Sequence, residues 1–338
     1  MAALSDQLLT VTILLYTLAM LGYAVEYAFG IRGVVATSAV REPALIGGPS
    51  GYAPSAGEEP WGSPDDPAGY VSPADPGPTG VADRPGRASV AGKVAVALTV
   101  AGVLAHIASV VLRGVDAHRM PLGNMYEFVV FGCLVAMAIW SGIAIRRPAL
   151  RPLGLFASLI IVLLLGIAAT TLYVKVTPLV PALNSYWLAI HVTAASISSG
   201  VFMVGFVPAA MFLIRRRWEQ TGSQSFPVSL GARMPASDTL ERLTFRIHVF
   251  AFPIWTFAGI SGAIWAEAAW GRYWGWDPKE TWLFISWVVY AMYLHARATP
   301  SIRRTTVTWI AVLGWVTMLV NLFGINLVVS GLHSYAGV

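Results

Sequence analysis

Cysteine and charge are both scarce in this sequence, and each scarcity excludes a class of protein. Cys133 is the only cysteine in 338 residues. An intramolecular disulfide framework is therefore excluded, and so is a zinc or iron–sulfur site built from several cysteines. Charged residues make up 12% of the chain, whereas soluble domains carry roughly 25%. An ordinary soluble enzyme is excluded on that ground.

Hydrophobic residues are in excess, at 56% of the chain, and they are clustered. A bilayer span needs about 20 predominantly apolar residues. The sequence predicts an all-α integral membrane protein with about eight transmembrane helices. The first apolar stretch lacks a basic n-region and a clear cleavage site, which indicates a retained helix rather than a signal peptide. The apolar stretches lie at about 8–29, 94–112, 126–145, 153–173, 188–214, 247–266, 281–296 and 306–328.

Lysine and arginine are distributed unevenly between the connections. Seventeen of the 22 fall on one side of the predicted spans. The positive-inside rule places that side in the cytoplasm. The sequence thus predicts a multi-pass protein of the cell membrane with both termini and the active face extracytoplasmic. The exceptions are Arg113, Arg119, Lys175, Arg272 and Lys279, which lie on the other side.

One cytoplasmic connection differs in composition from the rest of the chain. Residues 31–90 contain ten prolines and ten glycines, too many for a segment that must bury apolar surface to fold. We therefore divide the chain into a first helix at 1–30, a flexible Pro/Gly-rich loop at 31–92 and a membrane domain at 93–338. The role of the loop stays open.

A tryptophan-rich segment joins the sixth and seventh spans on the outer face. It reads WGRYWGWDPKETW over 270–282, and flanking tryptophans extend it to 265–287. One interpretation is an aromatic belt at the membrane interface. The other is a platform for a flat apolar ligand, because two glycines and a proline among the rings define one backbone path. The platform residues would be Trp270, Tyr273, Trp274, Trp276 and Trp282, with Arg272 and Lys279 pairing with ligand carboxylates.

Histidines form the second pattern. His191 and His333 lie on the same predicted face as the tryptophans, and two imidazoles beside an aromatic cradle suggest axial ligation of haem iron. Ordinary interfacial contacts are the alternative. His295 lies at the inner end of the seventh span, so any site it forms is a second, inner one. The sequence leaves the roles of His118, His248 and Glu127 undecided.

These motifs together resemble a known family. The segment at 270–282 is similar to the WWD signature of the haem-handling proteins of cytochrome c maturation, and its DPKETW ending resembles the CcsA/ResC branch of System II. The runs YLHAR (293–297), GLHSY (331–335) and MPLGNMYE (120–127) match the same branch. The resemblance covers residues 94–338.

The resemblance implies a cytochrome c haem lyase that handles haem b. His191 and His333 would be the outer axial ligands, with Asp277 beside them in the catalytic site and Trp270, Trp274 and Trp276 in the platform. His295 would be an inner ligand to haem iron. The implied partners are a ResB-type membrane subunit and apocytochrome c with its CXXCH motif, and no nucleic acid.

The cysteines of the CXXCH motif must be reduced before they can react, so a thiol-reducing pathway is implied indirectly. Two alternatives to the lyase stay open. One is a haem exporter or chaperone without lyase activity of its own. The other is an ion-coupled transporter that uses histidine and aspartate as a proton relay, although few acidic residues fall within the spans.

Overall fold

The computed structural model describes residues 1–30, 86–176 and 185–333, and this part of the chain is helical, with no strand. All eight predicted helices occur, which confirms the all-α fold. They are α1 (Ala2–Phe29), α2 (Arg87–Ala117), α3 (Met125–Arg146), α4 (Gly154–Thr170), α5 (Tyr186–Thr221), α6 (Ser237–Trp270), α7 (Pro278–Ala298) and α8 (Arg304–Leu319). A π-helical turn at Val320–Gly324 and a last turn at Ile325–Val328 extend α8.

Seven helices in the described part are long and apolar enough to cross a membrane, so the chain is a multi-pass membrane protein by length and composition. The helix that falls short of this test is α7, which was predicted as the seventh span. It has 21 residues, carries Lys279 and Glu280 in its first turn, and takes much of its apolar surface from two tryptophans and two tyrosines. Those rings have polar atoms, and they are less hydrophobic than aliphatic side chains.

Both ends of the described chain lie at the same end of the helix bundle. The N-terminal amino group of Met1 is 3.7 Å from a carboxylate oxygen of Asp116, at the end of α2. Residues 122–125, which follow, line a cavity together with His333. Which membrane face this end meets stays a prediction from the lysine and arginine count. Of the loop predicted at 31–92, residues 31–85 lie outside the described residues. The last part of that range already belongs to α2, which begins at Arg87.

The centre of the bundle is formed where α3 and α5 cross. Gly132 on α3 and Gly200 on α5 bring the two backbones together, because a Cβ added at Gly200 would be 2.6 Å from the Gly132 carbonyl oxygen. Small residues permit such close approach between membrane helices. Cys133 is buried beside this crossing, as its place in an apolar run predicts.

Replacing Gly200 with valine is expected to destabilise the bundle by about 1–3 kcal/mol, since added atoms in a packed interior force shifts of the backbone. Gly166→Val on α4 is the matched control, because nothing lies within 4 Å of a Cβ added there. The measurement is the temperature at which detergent-purified protein loses its monodisperse chromatographic peak. Equal midpoints for the two variants would contradict the close approach of α3 and α5.

Candidate functional site

His191 lies in the second turn of α5, and one of its ring nitrogens is held by the backbone of α6. Its Nδ1 is 2.8 Å from the carbonyl oxygen of Ala258. A carbonyl only accepts hydrogen bonds, so Nδ1 carries the proton and Nε2 keeps its lone pair. The ring stacks on Trp265, with centroids 6.0 Å apart and planes at 10°. Gly262 leaves room for it, since a Cβ there would be 2.7 Å from the ring.

His333 is held in the same way by a carboxylate. Its Nδ1 donates to Oδ2 of Asp277 at 2.7 Å, so Nε2 is again the nitrogen that would bind a metal. The edges of Trp270 and Trp265 pack against the ring at centroid distances of 4.9 and 5.6 Å. Burial lowers the pKa of His333 below its usual value, and the bond to Asp277 opposes this shift. A lowered pKa favours the neutral imidazole.

Asp277 joins the start of α7 to the C-terminal segment that carries Leu332 and His333. Its Oδ1 accepts from the backbone N–H of Leu332 at 2.7 Å, and its Oδ2 accepts from that of Lys279 at 3.2 Å, which caps α7. Glu280 completes a capping box with Asp277. Burial opposes ionisation of Asp277, but the hydrogen bonds from Leu332, His333 and Lys279 outweigh it and lower the pKa. One carboxylate thus fixes the start of α7, the C-terminal segment and the His333 ring.

Two cavities meet at these histidines. They extend over about 880 and 700 Å³, counting the open solvent at their mouths. Both are lined by His191, His333 and Lys279. Burial lowers the pKa of Lys279 to about 8, with Asp277 acting in the opposite direction. Most of the remaining lining of the larger cavity is apolar or aromatic, and includes Trp255 and Trp315.

The structure brings together only part of the predicted platform. Tyr273 and Trp274 line the larger cavity, and Trp270 contacts His333 instead. Trp276 and Trp282 are not among the lining residues. Trp276 is 68% exposed and has a φ of 59°, which turns the backbone just before α7.

Arg272 and His295 also lie outside both cavities. The guanidinium of Arg272 is 3.5 Å from Glu280, within its own segment, and packs over Gly275. Lys279 is therefore the predicted cation that reaches the cavity. His295 is exposed on α7 and, at 1.5 Å per residue, about 25 Å along the helix from Pro278. It does not join the His191 and His333 site.

A buried ion cluster lies behind one wall of the smaller cavity and is bonded to it. Glu127 accepts from Nε of Arg113 at 2.9 Å, from Nη1 of Arg119 at 2.8 Å and from the backbone of Gly123 at 2.8 Å. Asn124 caps α3 by accepting from the backbone N–H of Glu127 at 2.9 Å. These bonds hold the segment that lines the cavity at 122–125. Glu127, which the sequence left undecided, has a positioning role.

Two other histidines lie apart from the cavities. His118 ends α2 in the left-handed conformation, with a φ of 49°. His248 is buried among Phe202, Tyr290 and Tyr293, and its Nδ1 bonds the Thr244 carbonyl at 2.7 Å. Neither lines the cavities that meet at His191 and His333.

Sequence reasoning missed Asn321. It lies in the π-helical turn after α8 and lines the larger cavity. Its side-chain oxygen is buried, with no hydrogen-bond partner among the described residues. Wide helical turns of this kind are frequent at functional sites, but no local sequence signal announces one, so this residue could be found only from coordinates.

Comparison with known proteins gives a consistent result. Residues 122–333 match the family model described as cytochrome C assembly protein. A protein of Guillardia theta named cytochrome c biogenesis protein CcsA is 34% identical over 239 residues, which cover 66% of this chain and 79% of that protein. A Synechococcus protein of the same name is 34% identical over 263 residues, covering 70% and 83%.

A solved structure has a similar fold. It is the cytochrome c heme lyase CcmF, which aligns with a TM-score of 0.53 and 17% identity over 91% of this chain and 46% of that one. At this identity the likeness concerns the fold alone. Fold and site together define a multi-pass helical membrane protein with a two-histidine cavity at one end of its bundle. The chain belongs to the cytochrome c assembly protein family, and its role lies in c-type cytochrome biogenesis. The resemblance read from the motifs is confirmed.

Proposed function

We propose that this chain binds haem b between His191 and His333 and, with a ResB-type partner, attaches it to the CXXCH motif of apocytochrome c. The observation that carries the proposal is the hydrogen bonding of the His191 and His333 rings. Each Nδ1 donates to an acceptor, the Ala258 carbonyl in one case and the Asp277 carboxylate in the other. Metal-binding histidines almost always donate their second N–H in this way, because it fixes the tautomer and the ring orientation.

The cavity suits a flat ligand with an apolar body and acidic substituents. Its aromatic lining and the presence of one lysine fit a porphyrin that carries two carboxylates. We assign Lys279 to those carboxylates, because Arg272 is paired with Glu280. Asn321 would offer a further hydrogen bond from its amide.

The bond-forming step needs no cysteine from this chain. Each thiol of the CXXCH motif would add across a haem vinyl group, forming a carbon–sulfur bond, with the thiol hydrogen passing to the neighbouring vinyl carbon. No electrons are gained or lost. Holding two thiols against two vinyl groups is catalysis by proximity. The histidine of the motif would then displace His191 or His333 from the iron. Cys133 is buried in α3 and takes no part.

The positive-inside rule supports an extracytoplasmic site, because the basic connections lie at the opposite end of the bundle. His295 is exposed near that opposite end. Its ring is accessible to a second subunit, which supports its assignment as an inner haem ligand shared with the ResB-type partner.

The proposal is tested by visible spectra of the chain purified with its ResB-type partner. His191→Ala and His333→Ala are each expected to lose co-purified haem or to change its low-spin spectrum, since one axial imidazole is removed. Added imidazole should restore the wild-type spectrum. His118→Asn is the matched control, because His118 lies at the same end of the bundle but only caps α2. Wild-type spectra and haem content in both alanine variants would refute the ligand assignment.

The lyase and the exporter or chaperone alternative are separated by a second assay on the same complex. With reduced apocytochrome c present, a lyase yields haem that stays attached to the polypeptide in acid acetone. A chaperone yields haem that is extracted. Asp277 and Glu280, which the ion-coupled transporter would need for a proton relay, are both engaged in capping α7, which disfavours that third alternative.

A further inference from the structure

A third cavity, of about 920 Å³, opens at the end of the bundle away from the histidines. It lies between α3 and α6, which both pack against α5 but scarcely touch each other. α3 begins beside the histidine site at Met125 and reaches this cavity at Arg146. At 1.5 Å per residue these ends are about 32 Å apart, close to the roughly 30 Å hydrocarbon thickness of a bilayer.

The walls of this cavity are apolar and contain small residues. α3 contributes Ala138, Ile139, Gly142 and Ile143, and α6 contributes Leu243. Nothing lies within 4 Å of a Cβ added at Gly142, so the groove is open at that point. Protein interiors and their boundaries are close-packed, and a groove at this depth needs an apolar occupant such as an acyl chain.

The rim carries four arginines and no carboxylate. Arg146 and Arg147 end α3, and Arg242 and Arg246 belong to α6. None of them forms an ion pair with a residue in the described ranges, although other arginines at this end do, as in the Arg215–Glu219 and Arg297–Glu241 pairs. Guanidinium groups match phosphate oxygens in geometry and charge.

We propose that this groove is a binding site for one anionic phospholipid. The phosphate would be held by the four arginines, and an acyl chain would lie along Gly142 and Ile139 of α3. A free phosphate would use the rim but not the apolar wall, so the groove as a whole fits the lipid. The bound lipid would brace α3 against α6, two helices whose other ends wall the histidine cavity.

The test is native mass spectrometry of the full chain in a neutral detergent. The probes are phosphatidylglycerol and phosphatidylcholine with the same acyl chains. One phosphatidylglycerol should be retained at least tenfold more tightly than phosphatidylcholine. The double variant Arg242→Gln/Arg246→Gln should weaken it about 25-fold, because each arginine near anionic lipid contributes a factor of about five. Gly142→Trp should abolish retention without changing the charge.

Arg216→Gln/Arg217→Gln is the matched control, since it removes the same charge at the same end of the bundle from residues outside the groove. It should change retention less than twofold. Equal weakening by both double variants would mean diffuse attraction and would overturn the proposal. Undiminished lipid binding in Gly142→Trp would also overturn the proposal, and so would displacement of the lipid by inorganic phosphate. If Arg242→Gln/Arg246→Gln fails to fold, Arg146→Gln/Arg147→Gln tests the other wall.

Discussion

Glu127→Ala is expected to destabilise the folded protein by about 3–5 kcal/mol, because it leaves two buried arginines without their counter-charge. The side chain of Glu127 is fully buried, and those of Arg113 and Arg119 are 6% and 13% exposed. Both arginines bond the same carboxylate, and Gly123 donates a backbone N–H to it. Removal of the carboxylate takes away the acceptor of all three donors, although Nη1 of Arg119 keeps its bond to the Met120 carbonyl.

The loss is measured as the thermal midpoint of the detergent-purified chain, together with its yield. Glu219→Ala is the matched control. It removes a carboxylate that pairs with Arg215 and accepts from Ser237 but is 24% exposed, and exposed ion pairs contribute about 0–1 kcal/mol. Similar thermal midpoints in the two variants would show that solvent screens the charges of the Glu127 cluster, which would contradict its burial. The Glu127 variant should also weaken haem retention, since the wall at 122–125 loses its anchor.

Asp277→Asn is expected to reduce haem affinity about 10- to 100-fold, the usual effect of removing the partner of a metal-binding histidine. Asparagine keeps one acceptor oxygen, which can retain the bond from the Leu332 N–H, whereas the Oδ2 position that accepts from both Lys279 and His333 becomes an NH₂ group. Its amide nitrogen is a donor and cannot accept from Nδ1 of His333. The ring therefore loses its orientation, and its tautomer is no longer specified. The iron potential should shift as well, because the ligand becomes less basic.

The measurement is haem titration and potentiometry of the complex. Asp277→Ala should show the same haem defect and a lower thermal midpoint than Asp277→Asn, because it also removes the acceptor of the Leu332 N–H. Asp238→Asn, an exposed carboxylate in the first turn of α6, should leave haem binding and stability unchanged. Normal haem affinity in Asp277→Asn would exclude this positioning role for the carboxylate.

The helices could be predicted well from the sequence because a membrane span is recognised by the length and apolar composition of its own residues. The stretch predicted at 126–145 is α3 at Met125–Arg146, and that at 188–214 lies within α5 at Tyr186–Thr221. The weakest case was α7, where tryptophan, tyrosine and a charged first turn lower the mean hydropathy. Its N-terminus could nonetheless be read from Asp277 and Glu280, the ends of a capping box.

The site was predictable in its residue types but not in its connections. Histidine ligands and an aromatic platform follow from motifs, yet the partner of His191 is a carbonyl 67 residues away, and that of His333 is a carboxylate 56 residues away. The two predicted cations also differ in their roles. Lys279 lines the cavity, whereas Arg272 pairs with Glu280.

By itself the sequence determined that this chain is a helical membrane protein of the cytochrome c assembly family, with histidines and a tryptophan-rich segment for its chemistry. Hydropathy, turn residues and short motifs are local properties, so they can be read without coordinates. Only the tertiary structure decided which nitrogen each histidine presents, which cation faces the cavity, and that four arginines rim a groove at the far end. These depend on contacts between helices distant in the chain, which no local pattern encodes.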